Sequence, residues 1–212
     1  MFKPDLSIFL GAIRSHNFQR LYHSLIKAVE PYSFELILAG PYPPIRELQE
    51  KENIKWIETW AQPTIAYQLA FLECKADICT YLSDDGFALG NEFRKILDLL
   101  KSKEQDKDYY KNIVVCPYIE GNKKYPRESY NIFYHADVRF DTYPRDTLLF
   151  NLPLFYRKYF EEIGGLDCRW EVCPMSFVDF GIRCTKDKAN ILWWEGDYPF
   201  ECEQEPGQTP GL

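Results

Sequence analysis

Ser83, Asp84, Asp85 and Gly86 stand directly after the apolar run ICTYL at 78–82. Two neighbouring carboxylates at the end of a strand repel each other, and a divalent cation relieves that repulsion; hard oxygen ligands of this kind select Mg2+ or Mn2+. Asp-Asp-Gly is also good turn chemistry, so a plain turn stands beside the metal-site reading. Far downstream, Asp179 sits alone among apolar neighbours in SFVDFGIRC. Burial there would raise its pKa and suit it to accept a proton, whereas an ion pair with Arg183 would make it structural. Gly11-Ala12-Ile13-Arg14 joins a small residue, which lets a ligand approach the backbone, to a guanidinium that can meet phosphate or simply stay solvated. Gly164-Gly165-Leu166-Asp167-Cys168-Arg169-Trp170 leads from paired glycines to an aromatic, a pattern that a helix C-cap followed by a core tryptophan would share.

The elements that must position these groups alternate along the chain. Leu6, Ile8 and Leu10 predict a first strand ending at Gly11. Asn17 caps a helix on which Phe18, Leu21, Tyr22, Leu25, Ile26 and Val29 recur at helical spacing until Pro31. FELILAG at 34–40 and IKWIE at 54–58 are the next strands; a helix with Pro63 in its first turn runs to about Cys74, and ICTYL follows as the fourth strand. A helix from about Asn91 to Lys103, with Phe93, Ile96, Leu97, Leu99 and Leu100 inward, precedes a strand at 113–119. Strand character returns at 148–156, and a short helix covers Arg157 to Ile163.

Parallel neighbours need crossover helices, so this alternation predicts an α/β fold with a doubly wound, mainly parallel sheet flanked by helices. In such a sheet ligands bind beyond the carboxyl ends of the strands, where Gly11, Arg14 and Ser83 to Asp85 fall. Residues 120–145 are polar, aromatic and poorly periodic, and are expected to form loop and edge structure over a site.

At 212 residues, 46% hydrophobic and 27% charged, the chain has the apolar content for one core and is not disordered. It holds no run near the roughly 18 apolar residues of a bilayer span. Lys3, Pro4 and Asp5 interrupt the start where a signal peptide would be continuously apolar, so a cytoplasmic chain without a membrane span is expected. A net charge of −7 repels polyanions and argues against nucleic acid as a partner. The seven cysteines contain no CxxC pair and read as reduced, mostly buried thiols. An aromatic content of 17% suits a packed core or a surface on which sugars or bases stack. His16, His23 and His135 are too scattered for a metal site, and no Ser-His-Asp set has a nucleophile elbow. The domain is expected to fill residues 1–200, with 201–212 a linker-like tail leading to further domains.

Taken in chain order, these segments resemble the motifs of GT-A fold glycosyltransferases of the large family-2 type. Ala66-Tyr67-Gln68-Leu69-Ala70 takes the place of AxNxG on the helix before the metal strand, nineteen residues ahead of Asp85. Ser83-Asp84-Asp85 takes that of the DxD-type metal motif, Gly164 to Trp170 that of a GGFDExF-like segment, and Asp179-Phe180-Gly181-Ile182-Arg183 that of DLxxR. The resemblance spans roughly residues 5 to 195, and a virus-encoded capsid glycosyltransferase is a closer resemblance still, which would put the chain in a host cytoplasm.

What the resemblance implies is a metal-dependent, inverting transfer of a hexose. The donor would be a nucleoside-diphosphate sugar, UDP-linked, and the acceptor a hydroxyl on a glycan or glycoprotein. Leu10, Gly11, Arg14, Gln68, Ser83, Asp84 and Asp85 would hold the nucleotide, with Asp85 the main ligand of Mn2+ or Mg2+ and Asp84 facing the ribose or the diphosphate. Asp179 would be the catalytic base, Glu171 the second choice, and Trp170 would meet the acceptor.

The sequence departs from the pattern at Ser83, which replaces the first Asp, and at Gln68 and Ala70, which replace Asn and Gly. Ala39-Gly40-Pro41-Tyr42 lacks the Asp that meets uracil, and Ser176-Phe177-Val178 lacks the acids that precede DLxxR. Two other classes fit in part. A sugar-phosphate nucleotidyltransferase would need a glycine-rich basic loop after the first strand, which Gly11 alone does not supply. A non-catalytic carbohydrate-binding domain would explain the aromatics but has no use for the acidic pair.

Overall fold

The computed structural model describes residues 3–120, 123–125, 150 and 152–203. Its strands are β1 (Leu6–Gly11), β2 (Phe34–Gly40), β3 (Ile54–Glu58), β4 (Ile78–Tyr81), β5 (Gly86–Ala88) and β6 (Asn112–Val115). After these come β7 (Tyr118–Glu120), β8 (Lys123–Tyr125), β9 (Pro153–Tyr156), β10 (Asn190–Trp193) and β11 (Phe200–Cys202). The helices are α1 (Phe18–Val29), α2 (Arg46–Gln49), α3 (Pro63–Phe71), α4 (Glu92–Ser102), α5 (Arg157–Glu162) and α6 (Cys173–Lys186).

Seven strands make one sheet in the order β10-β6-β9-β4-β1-β2-β3, parallel except for β9, which runs antiparallel to both β4 and β6. Leu6 pairs with Phe34 on one side and Ile78 on the other, so the carboxyl ends of β1, β2 and β4 open on one rim. Near-continuous apolar strands are what a sheet buried on both faces requires, and β2, β4, β6 and β9 are buried along their whole length. Four short strands form a second sheet, β5-β11-β7-β8, beside that rim.

Much of the aromatic content goes into the core. Phe9 meets Phe71 at 5.4 Å and Phe155 at 6.3 Å, Phe155 stacks on Phe160 at 4.7 Å, and Tyr81 stacks on Phe177 at 4.4 Å. This cluster joins β1, β4 and β9 to α3, α5 and α6. All seven cysteines are free thiols, and Cys74, Cys79, Cys116 and Cys184 are buried. Among the described residues no helix is long and apolar enough to cross a membrane.

The strands expected at 34–40 and 54–58 are those observed, and α1 starts directly after Asn17 and ends before Pro31. The Asn17 side chain makes no capping hydrogen bond, however; the residue closes a 3-10 turn, Ser15–Asn17, that runs into the helix. Ile26 is an exception on α1: it is 43% exposed, and Ala28 takes the buried place instead. α3 stops at Phe71, three residues short of the expected end. The single strand expected at 113–119 is two, in different sheets, because Pro117 has no N–H to continue a ladder. β9 takes up the end of the stretch expected at 148–156, of which 148, 149 and 151 lie outside the described residues. Glu201 and Cys202, assigned to the tail, belong to β11. Most of the 120–145 loop, and residues 204–212, lie outside the described residues.

Candidate active site

β4 delivers Ser83, Asp84 and Asp85 to the rim beside the end of β1. Asp84 is 3% exposed, and its carboxylate is fully engaged with β1's continuation. Oδ2 accepts the backbone N–H groups of Ile13 at 2.6 Å and Arg14 at 2.7 Å, and Oδ1 accepts Arg14 Nη1 at 2.6 Å. The side chain expected to face ribose or diphosphate is therefore a clamp on residues 13 and 14, and the guanidinium expected at phosphate is its ion-pair partner. Removing one member of a buried pair leaves the other uncompensated, so Asp84→Ala is expected to cost about 3 kcal/mol of stability, read as a lowered denaturation midpoint.

Asp85, half-buried, points elsewhere. Ser83 Oγ donates to its Oδ1, and its backbone carbonyl accepts the N–H of Glu203 at 2.7 Å. Burial holds its carboxyl above the ordinary carboxylate range, while Ser83 and the nearby Arg14 charge pull the other way. A desolvated carboxylate of this kind fits a divalent cation, which would supply the compensating charge. Among the described residues no three His, Cys, Asp or Glu side chains gather into a ready-made cage. The donor set thus fits an ion with one protein carboxylate, its remaining ligands drawn from phosphate and water, which is how Mg2+ is commonly held.

Behind Ser83 lies a cavity of about 230 Å³ bounded by Tyr67, Tyr81, Tyr118, Phe177, Cys173 and Cys202, among others. Tyr67 comes from α3, and its hydroxyl donates to the Leu82 carbonyl at 2.7 Å. Burial pushes that hydroxyl well above its usual range, and the acidic groups of Cys173, Asp84, Asp85 and Cys202 near it add to the effect. The Cys173 thiol is pushed up to about 12, chiefly by burial, so it stays protonated at neutral pH. Gly11 reaches this rim, but its missing side chain makes room for protein: a Cβ there would stand 2.9 Å from the Tyr67 ring. Leu10 is fully buried in the core, so its side chain cannot take the ligand-binding role expected of it.

α6 carries Asp179 as well as Cys173, Pro174 and Phe177, which line the cavity; Asp179, two positions past Phe177 and so about 200° round the helix from it, is not among the lining residues. Arg183 Nε donates to Asp179 Oδ2 at 2.8 Å, so the ion pair weighed as an alternative is present. Gln68, expected at the nucleotide, instead has Oε1 accepting the Leu166 N–H at 3.0 Å. It ties α3 to the glycine turn after α5. Trp170 is half-buried and is not among the residues lining the cavity, and Glu171 is exposed. Sequence reasoning missed Tyr67, Cys173 and the β11 residues Phe200 and Cys202 as cavity walls; only Tyr67, inside the motif-like stretch 66–70, carried any signal. It also missed two aromatics beyond β2 and β3: Trp60 is 76% exposed and meets Tyr42 edge-on at 6.0 Å.

No protein-family model and no curated protein sequence matches the chain. Its backbone is similar to solved structures of S. aureus TarS. TarS 1-349 in complex with UDP gives a TM-score of 0.71 at 10% identity, over 95% of this chain and 61% of that one. The complex of TarS 1-349 with UDP-GlcNAc gives 0.71 at 11%, over 96% and 60%. A further structure of TarS gives 0.72 at 10%, over 95% of this chain and 37% of that one. The chain therefore spans about three-fifths or less of the proteins it resembles, and at such identity the likeness speaks to the fold: a mixed, mainly parallel sheet flanked by helices, as the motif order led us to expect.

Proposed function

We propose that this chain is a glycosyltransferase that moves a hexose from a UDP-linked sugar to an acceptor hydroxyl on a glycan or glycoprotein, with inversion. One observation carries the reading: Asp85, half-buried, follows β4 on the rim where a sheet of this kind binds its ligands, on a fold shared with proteins solved with UDP and UDP-GlcNAc. Asp85, with Ser83 beside it, would hold a Mn2+ or Mg2+ ion. When bound, such an ion neutralises the negative charge that gathers on the departing diphosphate.

The chain's own residues do the rest. The backbone of residues 11–14, held down by Asp84, forms the floor on which the nucleoside lies. Exposed Ile13, Tyr42 and Trp60 offer apolar surface on the β1–β3 side of that floor. Asp179 accepts the proton of the attacking hydroxyl, and Trp170 stands on the acceptor side. The buried Tyr67 and Phe177 rings keep water from the underside of the reacting centre.

Calorimetric titration tests this. UDP should bind at least tenfold more tightly with Mn2+ present than without it, and a UDP-sugar should be consumed only when acceptor and metal are both supplied. Release of pyrophosphate from a sugar phosphate and UTP would indicate a nucleotidyltransferase instead. Indifference to nucleotide and metal alike, with retained affinity for glycans, would indicate a lectin and overturn the proposal.

A further inference from the structure

Arg183 lies one helical turn beyond Asp179 on α6, and each of its three guanidinium nitrogens has an acceptor. Nε donates to Asp179 Oδ2 at 2.8 Å, Nη1 to the Ile163 carbonyl at 2.6 Å, and Nη2 to the Gly165 carbonyl at 2.6 Å. Those carbonyls belong to the end of α5 and the turn beyond it, where a helix leaves acceptors without partners and a cation is favoured. Gly164 and Gly165 have φ of 93° and 65°, a left-handed path that other residues adopt only under strain. Gln68 grips the far side of the same turn through Leu166, and a Cβ on Gly165 would stand 2.7 Å from the Gln68 amide.

One guanidinium thus joins the carboxylate that reads as the base to a turn that α3 also holds. Among the described residues the other oxygen of Asp179, Oδ1, has no hydrogen-bond partner, so Arg183 grips one oxygen and leaves the second open. The planar fork of arginine sets three directions at once, which the single ammonium of a lysine on its flexible stem cannot do.

We propose that Arg183 is a positioning residue for the transfer reaction: it sets the Asp179 carboxylate and the Gly164 to Leu166 turn as one unit, fixing where the open oxygen stands relative to the acceptor. This rests on the reading of Asp179 as the base.

Arg183→Lys, Asp179→Asn and the double variant test it by single-turnover rate, donor KM and thermal melt. Arg183→Lys should keep a cooperative melt and a donor KM within about twofold of the parent. Its turnover should fall by about ten- to a hundredfold, the scale of a misplaced reacting group. In the Asp179→Asn background the same change should cost less than about twofold, because the group being placed is gone; residues that act as a unit are not additive. An equal loss in both backgrounds, or no loss in the first, would show that Arg183 only holds the fold together. Wild-type turnover in Asp179→Asn would instead remove the base assignment, and the positioning role with it.

Discussion

Asp85→Asn should lower sugar transfer by about two to three powers of ten and abolish the Mn2+ enhancement of UDP binding, while the metal-free protein becomes more stable at neutral pH. The two effects share a cause. Burial raises the Asp85 pKa above its ordinary 3.8, so the folded chain holds this proton more tightly than the unfolded chain does. Its favourable contribution is present at low pH and is lost as pH rises from about the ordinary value through the raised one. At pH 7 the folded state therefore carries a desolvated charge that the unfolded state does not, and the asparagine amide removes it. A metal-free thermal melt that rises with the substitution, together with turnover that collapses, separates loss of a ligand from loss of the fold. Near-parental turnover would remove Asp85 from the site.

Gly40→Ala is expected to cost about 3 kcal/mol, the upper end for an overpacked position, and to weaken nucleotide binding at the same time. β2 ends against the chain leaving β1 so closely that a Cβ at position 40 would stand 2.7 Å from the Ala12 carbonyl carbon and nearer still to its oxygen. Backbone cannot swing aside as a side chain can. The Gly40 carbonyl also accepts the N–H of Thr59 and the indole of Trp56, so the strand end is pinned from β3 as well. Relief must come from residues 12–14, which Asp84 holds in place. A chemical denaturation midpoint and a UDP titration on the same protein should move together.

How far the site was legible depends on where each partner lies in the sequence. Mostly apolar runs ending in glycine mark β1 and β2, because a buried strand is apolar at nearly every position; Ser7 and Glu35 are the exceptions, and they bond each other. β5 and β11 were invisible: three residues carry no period, and Gly86 pairs with Cys202, more than a hundred positions away. Asp85 and Ser83 could be singled out as candidates because the acidic pair is local. The duty of Asp84 was not, since its partners are two backbone N–H groups about seventy residues earlier, which no side-chain pattern records. Gln68 and Arg183 stood out as motif positions, yet both point at the same glycine turn, a convergence that exists only once α3 and α6 are packed.

The N–H of Glu203 fastens the carbonyl of Asp85, and β11 lies against β5, the strand that begins at the very next residue. A nascent chain of a hundred residues can already lay down β1 to β4, but the rim at β4 stays unlatched until some hundred more have emerged. Closure of the β4 rim is therefore a late event in synthesis, set by a long-range contact rather than by the sheet that carries it.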